Sequence, residues 1–199
     1  IDVNTSKYRR TLVFSTTNPY FTQDGISRTV DLYYRTDKPY EDQGGNYELV
    51  TTGASMRFGI PFSETDTVFF GGGFEQTQIK AGTNIPATYL AYANTYGATS
   101  NAIPLTVGWS RDDRDSALAP NSGRYQRLNS EWSVAGDARY VRGNYQYQQY
   151  IPLNKRFTVA FNGELGYGKG LNGRPFPVFK NFYSGGLGSV RGFDQGTLG

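Results

Sequence analysis

The feature that most constrains this chain is a two-residue alternation of apolar with small or polar residues, repeated in segments along most of its length. In the segment 156–167, for example, Phe157 and Val159 share one face while Thr158 and Ala160 share the other. A period of two indicates a β-strand with one apolar face. The 16 tyrosines, 13 phenylalanines and 25 glycines agree, because aromatic residues favour strands and glycine disfavours helices. The sequence therefore predicts an all-β fold.

The alternation predicts eight strands. They cover residues 7–17, 26–36, 47–62, 67–76, 102–112, 124–134, 139–151 and 156–167. Short connections near residues 18–25, 63–66, 113–123 and 152–155 alternate with longer ones near 37–46, 77–101 and 168–199. These strands are too many and too long for a small β-sandwich. They suit an antiparallel transmembrane β-barrel, which places short turns on one side and long loops on the other. In the longest internal loop, Tyr89, Tyr92 and Tyr96 have the spacing of a short helical turn.

The alternation does not say which face meets lipid, so a soluble lipocalin-like or jelly-roll protein with its apolar face inward is an alternative. Charged residues such as Arg57, Glu75 and Glu131 fall on the polar faces beside small glycines and serines. This mixture suits a wide, water-filled lumen better than a soluble exterior. Arg10 and Arg28 fall on the apolar faces, where side chains near strand ends can extend to the interface.

Composition excludes several classes of function. The chain has no cysteine and no histidine, which removes disulfides, thiolate chemistry and the commonest general base and metal ligand. A net charge of +3 from scattered basic residues argues against a nucleic-acid partner. Mean hydropathy is −0.55, and no apolar run approaches the roughly 20 residues of a spanning helix. The chain opens without a signal peptide, and we expect it to be part of a longer protein.

The densest charge cluster is Arg111-Asp112-Asp113-Arg114-Asp115. Paired carboxylates can serve a hydrolase or bind calcium, but this spacing lacks the glycine and final glutamate of an EF-hand loop. A salt-bridge network at a strand end fits the alternating signs better. Gly71-Gly72-Gly73 leads to no helix, and there is no Gly-x-Ser-x-Gly motif, so we predict no enzymatic activity, no cofactor and no metal site.

The C-terminal stretch, residues 181–199, surrounds one arginine with six glycines. Glycines at this density permit close approach of chain segments, and a single guanidinium group can bind a carboxylate in one orientation. The stretch is therefore either a solvated surface loop or an anchor that sits inside the predicted wall of strands.

Three motifs closely resemble the BamA family of outer-membrane β-barrel assembly proteins, whose core motif is shared with TamA and FhaC. They are Asn181-Phe182-Tyr183-Ser184-Gly185-Gly186 with Gly188-Ser189-Val190-Arg191-Gly192-Phe193 and Thr197-Leu198-Gly199, the turn 17–25, and Gly108-Trp109 with Asp115 and Pro120-Asn121-Ser122-Gly123. The resemblance spans essentially the whole chain. It implies a sixteen-stranded barrel, preceded by POTRA domains that this chain does not contain, with the motif loop folded into the lumen. On this basis the eight predicted strands are the fourth to the eleventh of the sixteen-stranded barrel.

The resemblance also implies a function: a non-enzymatic insertase in the Gram-negative outer membrane that folds β-barrel proteins at a lateral barrel seam. The implied partners are outer-membrane lipid, unfolded outer-membrane protein clients and accessory lipoproteins of the assembly complex. Two alternatives stay open, namely a two-partner secretion or autotransporter-assembly transporter of the same superfamily, and a porin-like pore.

The implied site is the motif loop 168–199. Its functional motif is Val190, Arg191, Gly192 and Phe193, with support from Gly185, Gly186 and Gly188. We expect Arg191 to anchor the loop, Gly192 to permit the turn and Phe193 to pack against the wall. The strands that carry the family's partners for this arginine lie outside the chain, so the candidate luminal charge partners here are Glu75, Glu131 and Glu164.

Overall fold

A computed structural model describes residues 1–6, 9–38, 47–80, 82, 85–154 and 156–182. These residues form one nine-stranded antiparallel sheet in which the strands follow one another in sequence order. The strands are β1 (Asp2–Thr5), β2 (Arg9–Asn18), β3 (Ser27–Asp37), β4 (Glu48–Pro61), β5 (Asp66–Lys80), β6 (Thr99–Asp112), β7 (Gly123–Gly136), β8 (Tyr140–Pro152) and β9 (Thr158–Gly170). A helix, α1 (Ala87–Tyr96), lies between β5 and β6, and a single 3-10 turn (Val178–Lys180) follows β9.

The elements differ from the sequence expectation at β1, at the facing ends of β5 and β6, at α1, and at β9, which runs to Gly170 and so three residues into the expected motif loop. β1 is an additional strand, which pairs with β2 although Val3 is its one apolar residue. β5 and β6 extend to Lys80 and from Thr99, which shortens the loop expected at 77–101. The expected helical turn is a ten-residue helix, and no helix of the described residues has the length and apolarity to cross a membrane.

The two faces of the sheet differ as the alternation predicts. On one, which we call the outer face, large apolar side chains stay exposed; they include Leu12, Phe14, Leu32, Leu105, Val107, Leu128, Trp132, Phe161 and Leu165. The opposite, inner face carries small and polar residues, and α1 and the segment after β9 pack against it. An apolar exposed face is what a strand wall presents to lipid.

Aromatic side chains gather at the end of the sheet that holds the short turns. The rings of Phe58 and Phe70 stack with centroids 5.2 Å apart, and Phe21 contacts Phe58 at 6.0 Å. The guanidinium group of Arg28 lies 4.4 Å from the centre of the Phe21 ring. This contact explains how a charged residue is accommodated near a strand end on the apolar face.

At the opposite end, loop elements cover the inner face. A buried cluster joins Leu49 and Ile79 of the wall, and Tyr47 just before β4, to Tyr89 and Tyr92 of α1. Val178 and Phe179 pack against this cluster from the segment after β9. The described part of the long-loop end therefore contains a small hydrophobic core, which holds the segment after β9 against the inner face.

Candidate functional site

The ammonium group of Lys180 lies between two carboxylates of the inner face. Its Nζ atom is 2.7 Å from Glu75 Oε1 and 3.2 Å from Glu131 Oε1. The Lys180 side chain is only 12% exposed. Because Glu75 belongs to β5 and Glu131 to β7, one side chain from the segment after β9 connects two strands that are not neighbours.

Two phenol groups complete this arrangement. The Tyr33 hydroxyl donates a hydrogen bond to Glu75 Oε2 at 3.0 Å, and the Tyr140 hydroxyl donates one to Glu131 Oε1 at 2.5 Å. Each carboxylate thus receives one ammonium contact and one phenol donor, and hydrogen bonds to charged groups are the stronger kind. We call these five residues, from β3, β5, β7, β8 and the 3-10 turn, the lysine cluster.

Tyr33 reaches Glu75 because the strand between them has no side chain in the way. Its ring crosses β4 at Gly53, the residue paired with Tyr33 on one side and with Glu75 on the other. A Cβ atom at position 53 would lie 2.4 Å from the Tyr33 hydroxyl oxygen. Gly53 is therefore a structural requirement of the lysine cluster.

Three glycines of β9 lie next to the segment that carries Lys180. Gly166, Gly168 and Gly170 alternate along the inner face of β9, and we call them the glycine row. A Cβ atom at Gly166 would lie 2.9 Å from the Phe182 ring, and one at Gly168 would lie 2.5 Å from the Phe176 ring. The two rings occupy the space that side chains of β9 would otherwise fill.

The Phe182 ring is also covered from the neighbouring strand. The guanidinium carbon of Arg142 lies 4.4 Å from the ring centre. Arg142 pairs across the sheet with Glu131 and with Gly168, so it stands between the lysine cluster and the glycine row. The contact joins the apolar and the charged parts of the site.

The structure brings two of the three candidate carboxylates together. Glu75 and Glu131 belong to the lysine cluster, whereas Glu164 is exposed on β9. The motif residues Val190, Arg191, Gly192 and Phe193, with Gly185, Gly186 and Gly188, lie outside the described residues. The role of Arg191 as the loop anchor therefore stays a prediction.

Sequence reasoning missed Lys180 and the glycine row. A signal was available in the alternate glycines at 166, 168 and 170, which leave one face of a strand without side chains. Aromatic residues follow within a dozen positions, at 176, 179 and 182. Small residues on a strand face indicate close approach by another segment, and the nearest candidates were these aromatics.

The acidic and basic residues at the short-turn end form the predicted salt-bridge network. Arg124 Nε lies 3.1 Å from Asp113 Oδ2, and Arg114 Nη2 lies 2.8 Å from Asp112 Oδ2. Burial acts to raise the pKa of Asp113, but hydrogen bonds and charge from Arg124 outweigh it and hold the pKa below its usual range. Within the described part of the chain, no group of three or more acidic residues could share a metal ion.

Comparison with known proteins gives a consistent result. The Omp85 superfamily domain matches residues 1–199. Outer membrane protein assembly factor BamA from Neisseria meningitidis is 36% identical over 197 residues, covering 93% of this chain and 25% of that protein. Its counterpart from Nitratidesulfovibrio vulgaris is 26% identical over 192 residues, covering 94% of this chain and 23% of that protein.

A solved structure has the same fold. The crystal structure of BamA from Haemophilus ducreyi lacking POTRA domains 1–3 matches with a TM-score of 0.88 at 24% identity. The match covers 96% of this chain and 39% of that one. The chain spans about a quarter of the length of the curated relatives it matches. The predicted antiparallel barrel wall is confirmed as an open sheet that forms part of a barrel, and the chain belongs to the Omp85 superfamily.

Proposed function

We propose that this chain belongs to an outer-membrane assembly factor that folds and inserts β-barrel proteins. It forms part of the barrel wall and the first part of the motif loop. The observation that carries the proposal is the 36% identity, over 93% of the chain, to a protein named outer membrane protein assembly factor BamA. The exposed apolar outer face supports placement in a bilayer. The outer membrane of Gram-negative bacteria is the membrane concerned.

The proposed mechanism needs no covalent chemistry and no cofactor. A weakly closed barrel seam, formed by strands beyond this chain, offers unpaired strand edges to a client, which adds its own strands by β-augmentation. Client folding supplies the driving force, because in hydrocarbon each backbone polar group must find a partner. The described wall contributes a stable inner face against which the base of the motif loop packs.

We propose that Arg191 anchors the motif loop, with Gly192 permitting the turn and Phe193 packing against the wall. Glu75 and Glu131 are candidate partners that already bind Lys180, so Arg191 would have to share them or use a carboxylate elsewhere in the full protein. The proposed partners are unfolded outer-membrane protein clients, outer-membrane lipid and accessory lipoproteins.

The test uses the full-length protein in phospholipid vesicles, with an unfolded outer-membrane protein added and its folding followed by heat-modifiable gel mobility. We expect faster client folding than in empty vesicles, a loss of that rate in Arg191→Ala, and no loss in a variant of the exposed turn residue Arg156→Ala. A protein that conducts ions or exports a polypeptide without accelerating client folding would overturn the proposal in favour of a pore or a transporter.

A further inference from the structure

We propose that Lys180 is a positioning residue that sets the register of the segment 174–182 along β9. It thereby determines where the motif loop leaves β9 on its way to the Arg191 motif. The structural part of this inference stands on the contacts of Lys180, and its consequence for client folding rests on the function proposed above.

The contacts between the segment and the glycine row do not define its register by themselves. Gly166 and Gly168 of the glycine row, roughly 7 Å apart along the strand, each lie under an aromatic ring, whereas Gly170 is covered by the backbone of Arg174 and Pro175. An aromatic ring can lie on either of these two glycines, and contacts of this kind have little directionality. Register is weakly specified in glycine-rich strands. A shift of Phe182 from Gly166 to Gly168 would preserve the type of contact that Phe182 makes, with Phe176 displaced from Gly168.

Lys180 distinguishes these registers because its contacts are directional and come from two strands. Glu75 and Glu131 stand on β5 and β7, whose backbones are separated by about 10 Å in a sheet. On β6, which lies between them, small side chains such as Ala102 and Thr106 are the cross-strand partners of the two glutamates. The ammonium group contacts both carboxylates only where they converge, which defines a single position for residue 180.

The charge count makes that position strongly preferred. The Lys180 ammonium contacts both carboxylates, and the side chains of Glu75 and Glu131 are 9% and 26% exposed. Moving it away would leave two like charges without their shared cation, one of them on a nearly buried side chain, which costs more than losing a surface ion pair. The lysine cluster therefore determines the register of the segment. The contacts of the two phenylalanine rings with the glycine row hold the segment against β9.

The first measurement is the distance between nitroxide labels on cysteines introduced at two exposed positions, Asn162 of β9 and Asn181. The chain contains no cysteine of its own, and the full-length protein is used in vesicles. We expect one narrow distance with Lys180 present. Lys180→Met should add a second distance, displaced by roughly 7 Å, or replace the first by it. The matched control is Lys169→Met, which changes an exposed lysine of β9 and should leave the distance unchanged.

A charge exchange tests the cause. Lys180→Glu alone places three carboxylates together, and adding Glu75→Lys restores one cation and two carboxylates. We expect the single distance to return in the exchanged pair. Should Lys180→Met fail to fold, the neutral triple variant with Glu75→Gln and Glu131→Gln removes the unpaired charges, and it should fold with two distances. One unchanged narrow distance in the triple variant or in folded Lys180→Met would overturn the inference.

Client folding is then measured with the same variants. We expect Lys180→Met to slow assembly by about tenfold and the exchanged pair to recover it to within about twofold, in line with the coupling found between contacting charges. If the wild-type protein does not accelerate folding but Lys180→Met shifts the label distance, the proposed function fails and the positioning role stands. If wild type is active and Lys180→Met changes neither distance nor rate, the positioning role is wrong.

Discussion

The ring of Tyr33 lies across Gly53, and this contact brings its hydroxyl group within 3.0 Å of Glu75 on the second strand along. The glycine is needed for steric reasons, because an added Cβ atom would lie 2.4 Å from the ring's Cζ atom. It would also lie 2.9 Å from the carbonyl oxygen of Phe74. The absence of a side chain at Gly53 therefore allows Tyr33 of β3 to reach Glu75 of β5.

We expect Gly53→Ala to destabilise the barrel by about 1–3 kcal/mol, the range for overpacking a filled site. The measurement is the urea concentration at which the full-length protein unfolds in vesicles. Gly163→Ala is the control, because a Cβ atom there meets nothing within 4 Å. Tyr33→Ala should recover part of the loss in Gly53→Ala, since the Phe74 carbonyl remains close. Equal effects at 53 and 163 would contradict this interpretation.

The attachment of α1 to the inner face should depend on Tyr92 and not on Leu90. Tyr92 is 7% exposed, and its ring meets Phe179 edge-on with centroids 5.7 Å apart, whereas Leu90 is 47% exposed. We expect Tyr92→Ala to cost about 3 kcal/mol of local stability and Leu90→Ala less than about 0.5 kcal/mol. Hydrogen exchange of the α1 amides measures both. Equal protection in the two variants would show that the helix is held by other contacts.

The assignment of the two faces is tested by adjacent residues of β6. Val107 is 55% exposed on the outer face, and Thr106 faces inward beside Glu131, its cross-strand partner. In a lipid bilayer, Val107→Arg should cost about 2–4 kcal/mol, because an arginine near mid-strand must enter hydrocarbon. Thr106→Arg should cost much less. Unfolding in vesicles compares the two, and the reverse order would favour a soluble barrel with an apolar interior.

The short turn between β6 and β7 should depend on pH through Asp115. Its carboxylate accepts backbone hydrogen bonds from Asn121 at 2.9 Å and Ser122 at 3.2 Å, and these hold its pKa below the ordinary value of 3.8. A lowered folded-state pKa means that the stabilisation is complete above the unfolded value and disappears as pH falls through the folded one. Amide resonances of Asn121 and Ser122 should therefore shift below pH 3.8. Asp115→Asn should abolish that step.

The sequence was sufficient for the wall and insufficient for what lies against it. Period-two alternation predicts strands such as β4 and β9 because each residue's face follows from its parity. β1 is not predicted, because a four-residue strand with one apolar side chain has too little alternation to detect. α1 was underpredicted because Tyr89 and Tyr92 are buried by the inner face, a tertiary contact that local patterns do not contain.

Prediction of the site was incomplete for a related reason. Glu75 and Glu131 could be recognised as inward-facing carboxylates from parity alone. Their cation could not, because Lys180 follows the last strand and its partners are decided by how the segment folds back. The motif around Arg191 was visible as a resemblance, whereas Lys180 lies just before it and carries no comparable pattern.

The glycine row has a further consequence for how this part of the protein tolerates change. The inner side chains of β9 at positions 166 and 168 are in effect supplied by Phe182 and Phe176, which belong to a connecting segment. Loops usually accept insertions, deletions and variable residues. Here an insertion between residues 171 and 182 would displace groups that fill the wall itself, so the segment should be as intolerant as a buried strand. Length variation and affinity tags in this region are therefore better placed in another loop.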